Sequence, residues 1–256
     1  VGKSTLFNCL SNTKAQSANF PFCTIEPNHS IINVPDERLA ALEKIVNPER
    51  VIPATVEIVD IAGLVKGASK GEGLGNKFLA NIRETDAIIH VLRCFDNDNI
   101  THVDGSVNPL RDKEIIDIEL QLKDLESINN RLDKVNRTAK SGDKDAIQEK
   151  HILEKAVNLL ESSNNIRSIE IDNEEKIKYL KPLQLITDKP VLYVCNVDEG
   201  SVSTTNDYVE SVRSLIAKED ADLIILAAGI ESEINELENY DERRMFLDDL
   251  GLDQPG

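Results

Sequence analysis

The chain opens with Val1-Gly2-Lys3-Ser4-Thr5-Leu6-Phe7, and this stretch decides the fold. It matches the second half of the phosphate-binding loop G-x-x-x-x-G-K-[ST], in which glycine lets main-chain N–H groups approach phosphate oxygens. Lys3 would bring its charge to the β- and γ-phosphates, and the Ser4 hydroxyl would bind Mg²⁺. Because the first glycine of this motif follows a strand, we expect that strand and the start of the loop to precede Val1.

A second motif, Asp60-Ile61-Ala62-Gly63, follows the apolar run at residues 56–59. An acidic residue at the end of a strand beside the phosphate loop supports the metal's ligand shell, and the N–H of Gly63 would face the γ-phosphate. A chance Gly-Lys-Ser-Thr on a surface turn would lack such a partner. The two motifs predict a Mg²⁺-dependent nucleoside triphosphate hydrolase, with Asp60 acting on the metal through water.

The loop between the two motifs contains Phe20-Pro21-Phe22-Cys23-Thr24-Ile25-Glu26-Pro27-Asn28. Switch segments lie between the phosphate loop and the second strand, so Thr24 is predicted to add a hydroxyl to the metal. Cys23 is a candidate reactive thiol because its context is loop-like. The other cysteines (Cys9, Cys94 and Cys195) lie among apolar residues and are expected to be reduced core residues.

Base recognition is predicted at Asn196-Val197-Asp198-Glu199, directly after the apolar run 191–195. Guanine-specific proteins place Asn-Lys-x-Asp here, and the Asp accepts two hydrogen bonds from the base. In this chain Val197 replaces the Lys and Glu199 replaces the Asp, so the motif argues against guanine specificity. The stretch Ala227-Ala228-Gly229 would offer main-chain N–H groups to the base edge.

Five strand-like runs alternate with helical segments along the chain. The last four runs are almost continuously apolar, as in strands covered on both faces. The alternation predicts an α/β fold with a doubly wound, mostly parallel sheet. The runs are residues 31–34, 56–60, 87–92, 191–195 and 223–227, and helical segments include 5–10, 75–83 and 207–218.

About 100 residues separate the third run from the fourth, far more than the roughly 2–6 residues of an ordinary connection. Apolar residues at steps of three and four predict two antiparallel helices inserted here, joined at Ser141-Gly142-Asp143. This arm is either a solvated structural element or a docking site for a large partner. The first helix carries Ile115, Ile118, Leu122, Leu125, Ile128, Leu132 and Val135, and the second carries Leu153, Ala156, Val157 and Leu160.

The charge balance restricts the partners. There are 29 Lys and Arg against 46 Asp and Glu, a net charge of −17, which excludes a strong general attraction to phosphate backbones but not a local basic face. Sequence-specific DNA binding is not expected. Apolar stretches are far shorter than the roughly 18 residues of a membrane span, and no leader is recognised. We predict a soluble, cytoplasmic protein without a membrane partner.

In this order, the motifs closely resemble the YchF subfamily of Obg-like ATPases, which are translation-factor-related P-loop nucleoside triphosphatases. The resemblance covers essentially the whole chain. It is carried by Gly2-Lys3-Ser4-Thr5, Asn19-Phe20-Pro21-Phe22-Cys23-Thr24-Ile25-Glu26-Pro27-Asn28, Asp60-Ile61-Ala62-Gly63-Leu64-Val65-Lys66-Gly67-Ala68 and Asn196-x-x-Glu199.

The resemblance implies a Mg²⁺-dependent ATPase that accepts GTP poorly and associates with the ribosome or a ribosomal subunit. By position, it implies that Val1 to Thr5 hold phosphates, Ser4 and Thr24 hold Mg²⁺, and Asn196 and Val197 contact the base. Residues 1–106 and 183–256 are expected to form the P-loop domain, and 107–182 the coiled-coil arm. Family members carry a small ubiquitin-like TGS domain after Leu250-Gly251-Leu252, and we expect one to follow here.

Hydrolysis is predicted to be slow without a partner, because Leu64 stands where related GTPases carry a water-orienting Gln. Family members have a His at the position of His102, on a polar segment after the run 87–92, and this side chain is the candidate to position water; an ordinary loop His is the alternative. Three functions remain open: an ATP-preferring ribosome-associated switch, a guanine-nucleotide switch, and a ribosome-binding module in which nucleotide is structural.

Overall fold

The computed structural model describes residues 1–11, 28–61, 74–100, 102, 105–217, 219, 221–237 and 239–249. The chain divides into two compact units, one made of Val1 and Gly63–Ala227 and the other of Gly2–Ala62 and Ala228–Gly256. In chain order, the elements are α1 (Lys3–Ser11), β1 (Asn28–Asn33), α2 (Glu37–Val46), β2 (Thr55–Asp60), α3 (Leu74–Glu84), β3 (Ile88–Arg93), α4 (Pro109–Ala139), α5 (Lys144–Glu161), α6 (Asn173–Glu175), β4 (Val191–Asn196), α7 (Asp207–Ile216), β5 (Asp222–Leu226), α8 (Ala228–Glu236) and α9 (Tyr240–Asp249).

The unit that contains residues 63–227 is built on a parallel sheet in the order β3, β4, β5. The central strand β4 is the best buried, with Tyr193 and Cys195 fully inaccessible and Val194 1% exposed, as its apolar sequence predicts. Arg93 at the end of β3 is in register with Asn196 at the end of β4. The carboxyl edge of the sheet therefore carries polar side chains, and ligands of α/β sheets bind at this edge.

In the other unit, β1 and β2 pair antiparallel, with Asn28 opposite Asp60. The prediction that the run 56–60 is covered on both faces is wrong: Val56 is 47% exposed and Glu57 is exposed as well. In the partner strand, Ile31 is 72% exposed. Within the described residues, β1 and β2 form a two-stranded ribbon, and such a ribbon has few neighbours that could cover its faces. Asp60 is the exception, at 4% exposure.

Between β3 and β4 lie two long helices, α4 of 31 residues and α5 of 18 residues, which pack on one another. Their shared core includes Ile128, Ile152, Leu153 and Ala156, all fully buried. The chain turns between them at Gly142, whose φ of +86° is unfavourable for residues with a Cβ. Asp143 then caps α5 by accepting a hydrogen bond from the N–H of Ala146 at 2.8 Å.

The predicted apolar seam of α4 holds only in its second half. Ile118 and Leu122 are 41% and 37% exposed. Helix α4 contacts not only α5 but also β3, α7 and the 3₁₀ turn Ile186–Asp188. Asp124 is fully buried, and its carboxylate accepts hydrogen bonds from the N–H groups of Ile186 and Thr187 at 2.9 and 2.7 Å. A polar anchor thus adds to the apolar contact that Leu120, 5% exposed, makes in this half of the helix. Among the described residues, no helix is long and apolar enough to cross a membrane.

Candidate nucleotide site

The phosphate-loop residues and the acidic residue of the second motif meet directly. Lys3 Nζ forms an ion pair with Asp60 Oδ1, and the Ser4 hydroxyl donates to Asp60 Oδ2 at 3.2 Å. The Asp60 side chain is 2% exposed, whereas that of Lys3 is 32% exposed. The buried carboxylate is therefore paired, and a cation and a hydroxyl are held together at the end of β2.

Main-chain geometry at Gly2 explains why the motif needs glycine. Its φ of +89° lies in the left-handed region, where a residue with a Cβ would be strained. Helix α1 starts immediately afterwards, and the Gly2 carbonyl accepts from the N–H of Leu6 at 2.9 Å. The N–H groups of the first turn, on Lys3, Ser4 and Thr5, are not used by the helix's own ladder. An α-helix of nine residues with a cation in its first turn is suited to hold an anion such as a phosphate.

The donor set near Ser4 fits Mg²⁺. This ion prefers hard oxygen ligands and takes few of them from protein, the rest being water and phosphate oxygens. The Ser4 hydroxyl and the Asp60 carboxylate supply two such oxygens on neighbouring atoms. Among the described residues, no group of three or more His, Cys, Asp or Glu side chains could hold a metal by itself. A metal shared with a phosphate ligand is thus the kind of metal site that these residues suit.

Asn196 links the predicted base-recognition motif to the start of the phosphate loop. Its side-chain Nδ2 donates to the main-chain carbonyl of Val1 at 3.0 Å, and the residue is 4% exposed. The Asn196 carbonyl in turn accepts from the N–H of Cys94 at 2.8 Å, and the N–H of Val197 donates to Leu226 at 2.9 Å. Asn196 is thus fixed at the carboxyl edge of the parallel sheet.

The rest of the predicted base motif divides into buried and exposed residues. Val197 is 3% exposed, whereas Asp198 and Glu199 are exposed. The Asp198 carboxylate caps the 3₁₀ turn Glu199–Ser201 by accepting from the Ser201 N–H at 3.1 Å, so a structural role accounts for it. Ala228 lies at the first position of α8 and is 2% exposed.

The imidazole of His102 contacts Asp112 in the first turn of α4. His102 Nε2 lies 2.9 Å from Asp112 Oδ2, and the two side chains are 12% and 20% exposed. Asp112 Oδ1 accepts from Arg111, at 3.1 Å from Nε and 2.9 Å from Nη2. A carboxylate only accepts hydrogen bonds, so the hydrogen of this contact lies on Nε2.

The next residue of α4, Lys113, fastens this turn to the sheet. It is 3% exposed, and its Nζ donates at 2.6 Å both to Asp117 and to Glu219. Burial alone would lower the pKa of Lys113, but the two carboxylates outweigh it and raise that pKa above its usual value. Because Glu219 also accepts from Tyr193 of β4 at 3.0 Å, the turn that carries Asp112 is held to the central strand.

Sequence reasoning missed Asp112, Lys113 and Arg93. Arg93 is 3% exposed and donates to the carbonyls of Phe95, Asn97 and Ile100 at 3.0–3.1 Å, which orders the segment leading to His102. Arg93 could have been recognised as a candidate from the sequence, because it is a charged residue at the end of an apolar strand. The predicted ligands Thr24 and Gly63 lie outside the described residues, as do the predicted reactive thiol Cys23 and the closing Leu250-Gly251-Leu252.

Comparison with known proteins gives one consistent result. Residues 1–131 match the family model described as 50S ribosome-binding GTPase. The chain is 53% identical over its full length to the ribosome-binding ATPase YchF of Pasteurella multocida and covers 70% of that protein; for the Bacillus subtilis protein of the same name the identity is 51% and the coverage again 70%. A solved structure of the Schizosaccharomyces pombe YchF GTPase matches 98% of the chain and is 69% covered, with a TM-score of 0.80 and 34% identity.

Proposed function

Since the chain belongs to the YchF family of P-loop nucleotide hydrolases, we propose that it hydrolyses ATP in preference to GTP, with Mg²⁺, as a ribosome-associated regulatory switch. The observation that carries the proposal is the convergence of Lys3 and Ser4 on the buried carboxylate of Asp60. A cation, a hydroxyl and a carboxylate held this way form the phosphate and metal half of a hydrolase site.

On the phosphate side, we assign charge stabilisation to Lys3. Its ammonium would move from Asp60 to the β- and γ-phosphates, where negative charge develops during transfer. Gly2 and the N–H groups of Lys3, Ser4 and Thr5 would hold the phosphate oxygens, together with Val1 and with the N–H of Gly63. Ser4 and Thr24 would bind Mg²⁺, and Asp60 would orient its water ligands. The metal would neutralise phosphate charge when it is bound.

On the base side, we assign Asn196, Val197, Glu199 and the N–H of Ala228. A site built to hydrogen-bond one base discriminates against another because buried polar groups are left unpaired. Val197 lacks the long stem and charge of the Lys found in guanine-specific proteins, and Glu199 places a longer carboxylate at the position of their Asp. These two departures support adenine over guanine.

We assign the positioning of water to His102. Leu64 has no hydrogen-bonding group, so another side chain has to take the place of the water-orienting Gln. Asp112 contacts Nε2 of His102 and so orients the ring, and we assign the contact with water to Nδ1. Turnover would be slow until His102 lies close enough to the γ-phosphate to position the attacking water.

The ribosomal part of the proposal comes from the relatives, whose names describe ribosome-binding ATPases. We assign residues 1–106 and 183–256 to the hydrolase and 107–182, with α4 and α5, to an inserted arm that docks on the ribosome or a ribosomal subunit. A ribosomal partner would place the protein in the cytoplasm.

The test is a titration of the chain with ATP and with GTP, with Mg²⁺ present, followed by turnover measurements with and without ribosomal particles. ATP should bind more tightly, since each polar group left unpaired by the wrong base costs about 1–3 kcal/mol. Glu199→Asp should reduce the difference between the affinities for ATP and GTP. Asp198→Ala is the matched control, because the Asp198 carboxylate is engaged in its own turn. This variant should leave the ratio of the two affinities unchanged.

Equal or tighter binding of GTP would replace the proposal with a guanine-nucleotide switch. A hydrolysis rate that no ribosomal particle changes would instead favour a binding module in which nucleotide is structural. These two outcomes are separate, because the first concerns the base and the second the coupling between partner and turnover.

A further inference from the structure

The end of the helix pair where α4 passes into α5 is basic in an otherwise acidic chain. Residues 131–144, which we call the tip, carry five Lys or Arg and two Asp, a net charge of +3, whereas the whole chain has −17. A local excess of positive charge in a negatively charged chain attracts an anionic partner to that part of the surface.

Four of the tip cations have no carboxylate partner among the residues that the structure describes. Lys134, Arg137, Lys140 and Lys144 are all exposed, and their side chains form none of the ion pairs found along α4 and α5. The fifth, Arg131, is engaged with Glu149 through Nε at 2.6 Å and Nη2 at 3.0 Å.

The carboxylates around the tip are mostly engaged in other contacts. Asp143 caps α5 through the Ala146 N–H, and Asp145 pairs with Lys178 and accepts from the Tyr179 hydroxyl at 2.8 Å. Asp133 is exposed, and no ion pair or hydrogen bond of its side chain is described. The acidic groups therefore do not neutralise the four free cations, whose charge is directed to solvent.

Helix electrostatics account for only part of this pattern. Arg137 and Lys140 lie at the carboxyl end of α4, where the negative end of the helix dipole favours cations. Lys144 is the first residue of α5, where the positive end of the helix dipole disfavours it. Its presence therefore has no explanation in local helix stability, whereas a shared anionic ligand would explain both sides of the turn.

The tip presents these cations on a firm support. Val135 and Ala146, on opposite sides of the turn, are 4% and 8% exposed and belong to the core shared by α4 and α5. With a rise of about 1.5 Å per residue and about 100° of rotation, Lys134, Arg137 and Lys140 span roughly 9 Å along the helix within an arc of about 120°. Such a row of cations matches a run of phosphates better than a single small anion.

We propose that the tip binds the phosphate backbone of RNA through Lys134, Arg137, Lys140 and Lys144. The inference deepens the proposed ribosomal association and names its chemistry: a chain repelled by RNA as a whole makes contact through one basic end of its helix pair. Phosphate contacts of this kind position a protein without reading sequence. The binding is accordingly strong at low salt and weak at high salt.

The experiment compares two double variants of equal charge. Arg137→Gln with Lys140→Gln removes two free tip cations, while Lys123→Gln with Lys150→Gln removes two cations of the same helices that are paired with Glu126 and Glu154. Arg137 and Lys140 are exposed, whereas the side chains of Lys123 and Lys150 are 18% and 40% exposed. Thermal melts verify that both variants fold. Each is titrated with an RNA duplex and sedimented with ribosomal particles at 50–200 mM KCl, a range over which phosphate contacts weaken measurably.

The tip variant should bind the duplex about tenfold more weakly or worse, and the slope of log affinity against log salt should become less steep by about 2, one for each lost contact. The paired-cation control should bind like the parent. Equal binding by the two variants would overturn the inference. The RNA contact would also be overturned if no protein bound the duplex and if the parent and the tip variant sedimented equally with ribosomal particles at every salt concentration. That result would favour a protein partner.

The proposed function and the inference fail in different ways. If the parent chain does not sediment with ribosomal particles, the proposed association is wrong, whatever the duplex titration gives. If the parent sediments and the tip variant does so equally well, only the RNA contact at the tip is wrong.

Discussion

The side-chain amide of Asn196 donates to the carbonyl of Val1 at 3.0 Å, joining residues 195 positions apart in sequence. The contact links the end of β4 to the residue before Gly2, where the backbone takes its left-handed conformation. Asn196 is 4% exposed and Val1 is 51% exposed, so the hydrogen bond is buried on the Asn196 side only. The side chain assigned to the base thus also holds the first residue of the phosphate-loop motif.

Asn196→Ala is therefore expected to weaken ATP and GTP binding alike, by up to about tenfold, because losing this partly buried hydrogen bond costs about 0.5–1.5 kcal/mol. Titration with fluorescent analogues of both nucleotides measures this. Asn206→Ala is the matched control: Asn206 donates to the Cys94 carbonyl at 2.8 Å, so its loss should lower thermal stability and leave affinity within about twofold. A selective loss of one nucleotide in Asn196→Ala would contradict the shared role.

The metal assignment gives a second prediction. Ser4→Ala removes the hydroxyl that lies 3.2 Å from Asp60 Oδ2, so nucleotide affinity should fall by about tenfold or more with Mg²⁺, a change of about 1.4 kcal/mol, and much less in EDTA. Isothermal titration under both conditions is the measurement. Ser4→Thr keeps the hydroxyl, so Mg²⁺ should still increase its affinity for nucleotide. If Ser4→Ala lost the same affinity with and without Mg²⁺, the assignment of Ser4 to the metal would be wrong.

Local pattern predicted the elements of the parallel sheet well. The runs 87–92, 191–195 and 223–227 correspond to β3, β4 and β5 within one residue at each end, because continuous apolar runs between turn signals are typical of strands buried on both faces. Cys94 and Cys195 are buried as expected, whereas Cys9 is only half-buried, against the prediction. Helix α2 was missed since none of its residues is buried, and an unburied helix has no core-facing stripe to reveal it; its signal was the capping residue Asp36.

The candidate site was predictable only where a motif reports it. Lys3, Ser4 and Asp60 are assigned by motif and do converge, although Asp60 is 57 positions from Lys3 and 56 from Ser4. The contact between His102 and Asp112 has no such signature, because one residue lies in the connection between β3 and α4 and the other lies within a helix. Partners of this kind depend on packing, which the periodicity of single segments does not encode.

Acid sensitivity follows from His90 in β3, whose ring packs against Tyr193 with centroids 5.5 Å apart. Burial lowers the pKa of His90 from 6.5 to about 4; Lys113 and Arg167 add to this effect, and Asp117 and Glu219 oppose it. Between these two values the unfolded chain binds a proton at this position and the folded chain does not. Stability should therefore fall as pH drops from about 6.5 towards 4, by on the order of 2 kcal/mol from this group.

Thermal or urea denaturation between pH 7 and pH 4.5 measures that loss. His90→Gln removes the group and should give a flatter dependence on pH than the parent. His151→Gln, on the exposed surface of α5, is the control and should follow the parent curve. Parallel curves for all three proteins would show that carboxylates alone cause the acid sensitivity.

The last prediction concerns the pair formed by His102 and Asp112. If His102 positions the attacking water, His102→Ala should lower turnover by about 10²-fold with nucleotide affinity nearly unchanged, the lower range for a positioned acid–base group. Asp112 would act as its positioning residue, since its carboxylate keeps the proton on Nε2. Asp112→Asn can place an amide N–H opposite that nitrogen and so favour the other tautomer. Turnover should fall in this variant as well, and ¹⁵N NMR of the imidazole should show the proton moving from Nε2 to Nδ1.

The double variant should be no slower than His102→Ala alone, because the effects of residues that act as a unit are not additive. Additive losses would mean that Asp112 only stabilises the first turn of α4, and an unchanged rate in His102→Ala would transfer water positioning to another group.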